Sequence, residues 1–249
     1  MTNLNNRVTA DIYIQARMGS IRLPGKTLLP ISDTNVLELM VQRVKQSTLC
    51  RNIVILTTNK EEDNQLVDFA KNHKIEIFRG SENDLISRYL QCAKIYKPDV
   101  IVRLTGDCPF IDHGIIDKML NLYMFNWPNI DFMTNCFKRT FARGFDVELL
   151  SLELLARLDL ICDKAEHREH IVPYLEENTE KFNFFEFPND KDDSGIRLTI
   201  DTLDDYKTIC QVYDLLPNNF ANYREIIRTI YEHPHIIQNN KIQHKSYYE

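Results

Sequence analysis

Between residues 8 and about 134 the chain alternates short runs rich in Val and Ile with longer segments of helical period. βαβ units produce this alternation, because parallel strands need a crossover helix between them and strands covered on both faces become nearly continuous apolar runs. Strands are expected at Asp11–Ala16, Asn52–Thr58, Ile75–Phe78 and Val100–Leu104. The intervening segments NVLELMVQRVKQ, EEDNQLVDFAKNH and DLISRYLQCAKIY carry apolar residues three and four apart, each with an Asn, Glu or Asp near its start. These predict the covering helices, with a further helix at 114–125 and a strand at 130–134. Beyond that point FDVEL, NFFEF and IRLTI (196–200) read as strands, and two helices fill 151–178. Helices follow from Leu203 to about Leu216 and near 222–232. The pattern predicts an α/β fold with a mostly parallel sheet and helices on both faces. Without a repeat or a Pro/Gly-rich linker to divide it, a single domain is expected over 1–235, followed by a polar tail at 236–249.

Composition narrows the function classes. The 249 residues are 43% hydrophobic, enough to bury a large core. The net charge of −6 is opposite to the field of a general nucleic-acid binder, so no nucleic acid is expected and any phosphate recognition must come from a local cation cluster. No stretch approaches the ~20 apolar residues of a membrane span, and the start, MTNLNNR, lacks a secretory apolar segment. A cytoplasmic protein without a membrane partner is expected. Six cysteines without a CxxC pair suit reduced, mostly buried thiols rather than a zinc ribbon or disulfide framework.

The local cation cluster is QARMGSIRLPGKTL, residues 15–28, directly after the first strand. It packs Arg17, Arg22 and Lys26 with Gly19 and Gly25, and ligands of α/β sheets bind outside the carboxyl ends of the strands. A P-loop is excluded: its first Gly would fall at Ser20, and Pro30 would break the helix that must follow the Lys. Arg and Lys side chains would therefore take over what a helix N-terminus does in a P-loop.

Two aspartates also follow predicted strands: Asp107 in RLTGDCP and Asp201 in RLTIDTLDD. Either alone could be a turn or cap residue. Together at one sheet edge, opposite a cationic loop, they suit Mg²⁺ bound to a nucleotide. The acidic clusters EED (61–63) and DKDD (190–193) read as solvated charges. His167 and His170 are three apart, without the HExxH spacing of a zinc protease, so they are core or interface residues or approach an anionic acceptor. Arg139 and Arg143 could hold a carboxylate or phosphate, or be surface charge.

Read together, QARMGSIRLPGK, LTGDCP, RGFDVE, EHREH and RLTIDTLDD resemble the cytidylyltransferases of surface-polysaccharide biosynthesis, in particular the spore-coat type related to CMP-3-deoxy-octulosonate and CMP-nonulosonate synthetases. The resemblance runs from about residue 10 to about residue 230. It implies a Rossmann-like nucleotidyltransferase fold of the GT-A kind, CTP as donor, Mg²⁺ as cofactor, an anionic sugar or sugar-like acceptor, and often a homodimer. Matched motif to motif, Arg17, Ser20, Arg22 and Lys26 would hold the triphosphate, with Gln15, Ala16, Met18, Gly19, Arg103, Thr105 and Gly106 completing the nucleotide site. Asp107 and Asp201 would hold the metal and, with Lys26 and Arg17, form the catalytic set; Arg139, Arg143, Glu148, His167 and Arg168 would face the acceptor. Ile21 departs from the pattern, standing where relatives usually carry Thr. The rival readings are a nucleotidyltransferase of another base or a phosphate or phosphonate acceptor, a GT-A glycosyltransferase using DKD at 190–192 as its metal motif, and a non-catalytic binding subunit.

Overall fold

The structure, a computed structural model, describes residues 8–169 and 171–237; His170 and the tail beyond 237 lie outside the described residues. Its strands are β1 (Ala10–Gln15), β2 (Pro30–Ile31), β3 (Thr34–Asn35), β4 (Cys50–Thr58), β5 (Glu76–Gly80), β6 (Val100–Thr105), β7 (Phe132–Thr134), β8 (Glu148–Ser151) and β9 (Phe184–Glu186). The α-helices are α1 (Val36–Val44), α2 (Asn64–His73), α3 (Leu85–Tyr96), α4 (His113–Asn126), α5 (Leu152–Ile161), α6 (Ala165–Glu169), α7 (Ile171–Glu177), α8 (Leu203–Leu215) and α9 (Tyr223–Glu232).

Seven strands form one sheet in the order β5-β4-β1-β6-β8-β7-β9, while β2 and β3 make a small separate hairpin. Only β8 runs against its neighbours; the other pairs are parallel. Alternate side chains serve opposite faces, as the period of a strand requires. Ile12, Ile14, Val102 and Leu104 face one core, shared with Leu37 and Met40 of α1, Ile116 of α4 and Ile226 of α9. Tyr13, Val54, Leu56 and Ile101 face the other, shared with Ile86 and Tyr89 of α3 and Leu154 and Leu158 of α5. Side-chain caps fix where these helices begin. Asn35, Asp84 and Asp112 each accept from a backbone N–H of the first turn, and Thr202 and Asn222 form full capping boxes with Asp205 and Glu225.

The chain steps outward from β1 through β4 to β5, then returns to place β6 on the other side of β1. The loops leaving β1 and β6 therefore diverge and open a crevice at the carboxyl ends of the strands.

The second half departs from the expected elements. Ile196–Ile200 has the alternation of a strand, yet it makes a single bridge, Arg197 opposite Arg143, outside the main sheet. Its backbone is satisfied by loops instead: Arg143 donates to Ile196 (2.9 Å), Leu198 donates to Arg143 (2.7 Å) and Ile200 donates to Asp107 (2.9 Å). Gly144 permits this close approach, since it holds φ 103° and a Cβ there would collide with the Leu198 carbonyl. Within FDVEL only Glu148 onward is strand, while helix occupies 152–161, 165–169 and 171–177 of the described residues, as expected for 151–178. Ile236 is buried in the core, so the packed chain reaches past the expected boundary at 235. All six cysteines are thiols, three buried and three half-buried. Among the described residues no helix is long and apolar enough to cross a membrane.

Arg43 of α1 is 2% exposed, and burial pulls its pKa down to about 10. Its guanidinium donates to the carbonyls of Phe110, Ile111, Asn219 and Ala221 at 2.7–3.0 Å, tying α1 to the segment after β6 and to the α8–α9 loop. Arg43→Met should lower unfolding stability in urea by about 3 kcal/mol, because it leaves buried carbonyls without donors. An unchanged midpoint would show that those carbonyls gain other partners at no cost.

Candidate active site

The loop after β1 is shaped by its backbone. The Ser20 and Gly25 N–H groups both donate to the Met18 carbonyl, at 2.9 and 3.0 Å, closing the loop on itself. The Met18 N–H donates to Asp63 Oδ1 at 2.7 Å, and the other oxygen of Asp63 accepts from the N–H and hydroxyl of Thr58. Asp63 is fully buried, so the expectation that EED is a solvated cluster is corrected for this residue. It anchors the cationic loop to the end of β4. Lys26 then opens a single 3-10 turn, Lys26–Leu28, before Pro30 starts β2. No α-helix follows the loop directly, so it presents no helix N-terminus of the kind a P-loop has.

The strand-end aspartates meet at Lys26. Its Nζ donates to Asp107 Oδ2 (2.7 Å), Asp201 Oδ1 (2.9 Å) and the Ile200 carbonyl (2.7 Å). Gly106, just after β6, donates its N–H to the Gln15 carbonyl at 2.8 Å; a Cβ there would stand 3.0 Å from that of Ala16, so the two strand ends need a glycine to close up. Arg197 donates to Asp201 Oδ2 (2.5 Å) and to Asp205 (3.0 Å), and Arg22 lies 3.3 Å from Asp201 Oδ1. Burial alone would raise the Asp201 carboxyl, but Lys26 and Arg197 outweigh it and hold the pKa at about 2. For Lys26, burial opposes the charge, and the two carboxylates reverse that and raise its pKa.

A cleft of about 350 Å³ opens over this cluster. Gln15, Ala16, Arg17, Ser20, Arg22, Lys26, Thr105, Gly106, Asp107 and Asp201 line it, all of them expected for the nucleotide or metal. Ile21 lines it too and is almost wholly exposed. Met18 is instead a core side chain, and Gly19 backs onto Glu62. Arg103 sits behind the cleft, bonded to Glu148 and to Gln15 Oε1, and burial raises the Glu148 carboxyl against that partner.

The residues expected at the acceptor do not line the cleft. Arg139 pairs with Asp146, and Glu148 is committed to Arg103. The Arg143 backbone holds the Ile196–Leu198 segment. His167 is buried against the Tyr174 ring with Glu177 3.6 Å away. Arg168 bonds Asp84, Asp159 and the Cys162 carbonyl, clasping α6 to α3 and α5. Each has found a partner within the fold, which nothing in the local sequence signals.

Glu82, Leu85, Arg88 and Glu169 line the cleft without having been singled out. Glu82, Leu85 and Arg88 follow β5, so the rule that placed the loops after β1 and β6 at the site applies equally to them. Arg88, 3% exposed, shapes that loop by donating to the Ser81 and Glu82 carbonyls. The DKD alternative loses its support. Asp190 lies by Arg224 on a different cavity, and Asp193, expected in solvent, is buried and accepts from Tyr223 and Tyr231 at 2.8 Å each.

Among the described residues no group of three or more His, Cys, Asp or Glu could hold a metal ion by itself. The two converging carboxylates nonetheless fit Mg²⁺, which takes one or two protein carboxylates and completes its shell with water and phosphate oxygens.

A family model described as cytidylyltransferase matches residues 12–248. The chain belongs to the cytidylyltransferase family. It is a nucleotidyltransferase enzyme, and its relatives agree in sequence and fold. A solved cytidylyltransferase from Leptospira borgpetersenii is 52% identical, with a TM-score of 0.91 over 95% of this chain and all of the other. The spore coat polysaccharide biosynthesis protein SpsF of Bacillus subtilis is 34% identical over 80% of this chain and 84% of its own. A CMP:2-keto-3-deoxy-manno-octonic acid synthetase complexed with CTP shares the fold at 15% identity, with a TM-score of 0.61 over 82% of this chain and 98% of the other. The Rossmann-like nucleotidyltransferase architecture is thereby shared with solved members.

Asp201 carries a pH dependence of this cytidylyltransferase. Its folded pKa of about 2 lies below the ordinary 3.8, so the stabilisation is complete above about pH 4 and is lost as the pH falls toward 2. It should amount to about 2 kcal/mol. Urea unfolding at pH 6 and pH 3 should show a smaller acid loss in Asp201→Asn than in the parent; equal losses would assign the acid sensitivity to other carboxylates.

Proposed function

We propose that the enzyme transfers CMP from CTP to an anionic sugar or sugar-like acceptor, releasing pyrophosphate, in the building of a surface glycan. The observation that carries this reading is Lys26 bonded at once to Asp107 and Asp201, in a cleft that Arg17 and Arg22 also line. The resemblance to SpsF and the likeness to a CTP-bound synthetase support the donor and the acceptor class. A homodimer in the cytoplasm belongs to the same proposal.

In the reaction an acceptor oxygen attacks the α-phosphorus of CTP in line; the new O–P bond forms as the bond to pyrophosphate breaks. The protein's part is positioning and charge stabilisation. Arg17, Arg22 and Lys26 bind the triphosphate and neutralise the charge that gathers on the departing pyrophosphate. Asp107 and Asp201 would hold Mg²⁺, whose chemistry is to offset phosphate charge. Arg197 keeps Asp201 ionised and aimed, and the buried Asp63 keeps the cationic loop in register. Arg88 holds the Ser81–Glu82 turn at the far wall.

Pyrophosphate release should be greatest with CTP among the four nucleoside triphosphates when an acidic sugar panel is supplied, and CTP with Mg²⁺ should raise the melting temperature more than ATP or GTP. Equal responses to all bases would mean that only phosphate is read. Turnover with sugar phosphates or phosphonates alone would move the acceptor to another class.

Asp107→Asn and Asp201→Asn should each lower metal-dependent turnover by roughly 10²–10³-fold, with the double variant little worse than the worse single one, because both act on one ion. Multiplicative losses would show that the two carboxylates serve separate steps.

A further inference from the structure

An ammonium has three donors, and the Lys26 ammonium spends all three within the protein: on Asp107 Oδ2, Asp201 Oδ1 and the Ile200 carbonyl. The side chain is only 13% exposed. The two carboxylates it holds are the ones that would bind a divalent cation. Asp201 Oδ2 is already bonded to Arg197 at 2.5 Å, so Oδ1 is the oxygen of that carboxylate that faces Lys26 and Arg22. A dication arriving alone must displace a satisfied ammonium and then remain beside it, like charge against like. A triphosphate changes the balance. Lys26 lines the cleft alongside Arg17, Ser20 and Arg22, where phosphate oxygens offer an ammonium acceptors as strong as the carboxylates it gives up.

We infer that Lys26 is a counter-ion gate: it holds Asp107 and Asp201 against a lone divalent cation and releases them when a nucleoside triphosphate takes over its three hydrogen bonds. This rests on the reading of the two aspartates as the cation's ligands. The exchange swaps one cation for another at fixed carboxylates, with no covalent bond made or broken. Nucleotide and metal thereby bind with positive coupling, and by linkage each tightens the other equally. The gate also protects the apposed carboxylates, which repel one another whenever neither cation stands between them.

The test is Mn²⁺ binding to the full-length protein without nucleotide, followed by the electron paramagnetic resonance of the free ion. Lys26→Met should bind Mn²⁺ at least about ten-fold more tightly than the parent protein, within the usual range of site coupling. Lys26→Gln, which keeps a polar group, should gain similarly, and Mn²⁺ should raise the melting temperature of both variants more than that of the parent, which also shows that they fold. Adding Asp107→Asn to Lys26→Met should abolish the gain. Equal Mn²⁺ affinity in the parent and both Lys26 variants overturns the gate. The underlying reading fails separately: if Asp107→Asn leaves Mn²⁺ binding in the presence of CTP unchanged by water proton relaxation, the cation's ligands lie elsewhere. Loss of ternary binding in Asp107→Asn without a gain in either Lys26 variant would sink the gate alone.

Discussion

One ammonium bonded to two carboxylates and a carbonyl joins three segments that are far apart along the chain. Lys26 comes from the loop after β1, Asp107 from the turn after β6, and Asp201 from the extended run that leads into α8. In the half-buried interior each bond is stronger than in water, and each charge would be costly alone. The cluster therefore constrains the loop, the turn and the run together: moving any one leaves a charge without its partner. Arg197 extends the constraint by bridging Asp201 to Asp205, which is also a member of the capping box that starts α8.

Sheet topology explains why these segments meet. The reversal between β1 and β6 separates their outgoing loops and leaves room for a ligand, while Gly106 lets the strand ends themselves come close. Buried charges then hold irregular backbone where no ladder can. Asp63 fixes the cationic loop, Arg43 gathers four loop carbonyls, and Asp193 receives two tyrosine hydroxyls. Each satisfies polar groups that would otherwise be unpaired in the interior. The site wall thus depends on charges several residues removed from the cleft.

The acceptor side shows the opposite case. Arg139, Glu148, His167 and Arg168 carry the chemistry an anionic acceptor needs, yet the fold engages them with Asp146, Arg103, Tyr174 and Asp84. Among the described residues of the EHREH segment, Glu169 lines the cleft. Long charged side chains have enough reach to be captured by any suitable partner nearby, so residue type indicates capability without location.

From sequence alone the α/β alternation, the four parallel strands β1, β4, β5 and β6, their crossover helices and the helix starts at Asn35, Thr202 and Asn222 could be read, because hydrophobic period and capping act within a few residues. The cationic loop and the two strand-end aspartates were legible for a related reason: topology obliges loops at the carboxyl ends of parallel strands to share one crevice. Tertiary structure decided the rest. Ile196–Ile200 has a strand's alternation but no neighbouring strand, so its hydrogen bonds go to loops. Asp63 and Asp193 look like solvated acids until the chain brings Met18, Tyr223 and Tyr231 to them. Local pattern sets backbone conformation, whereas the partner of a charge is set by contacts between residues tens of positions apart, which no window of sequence contains.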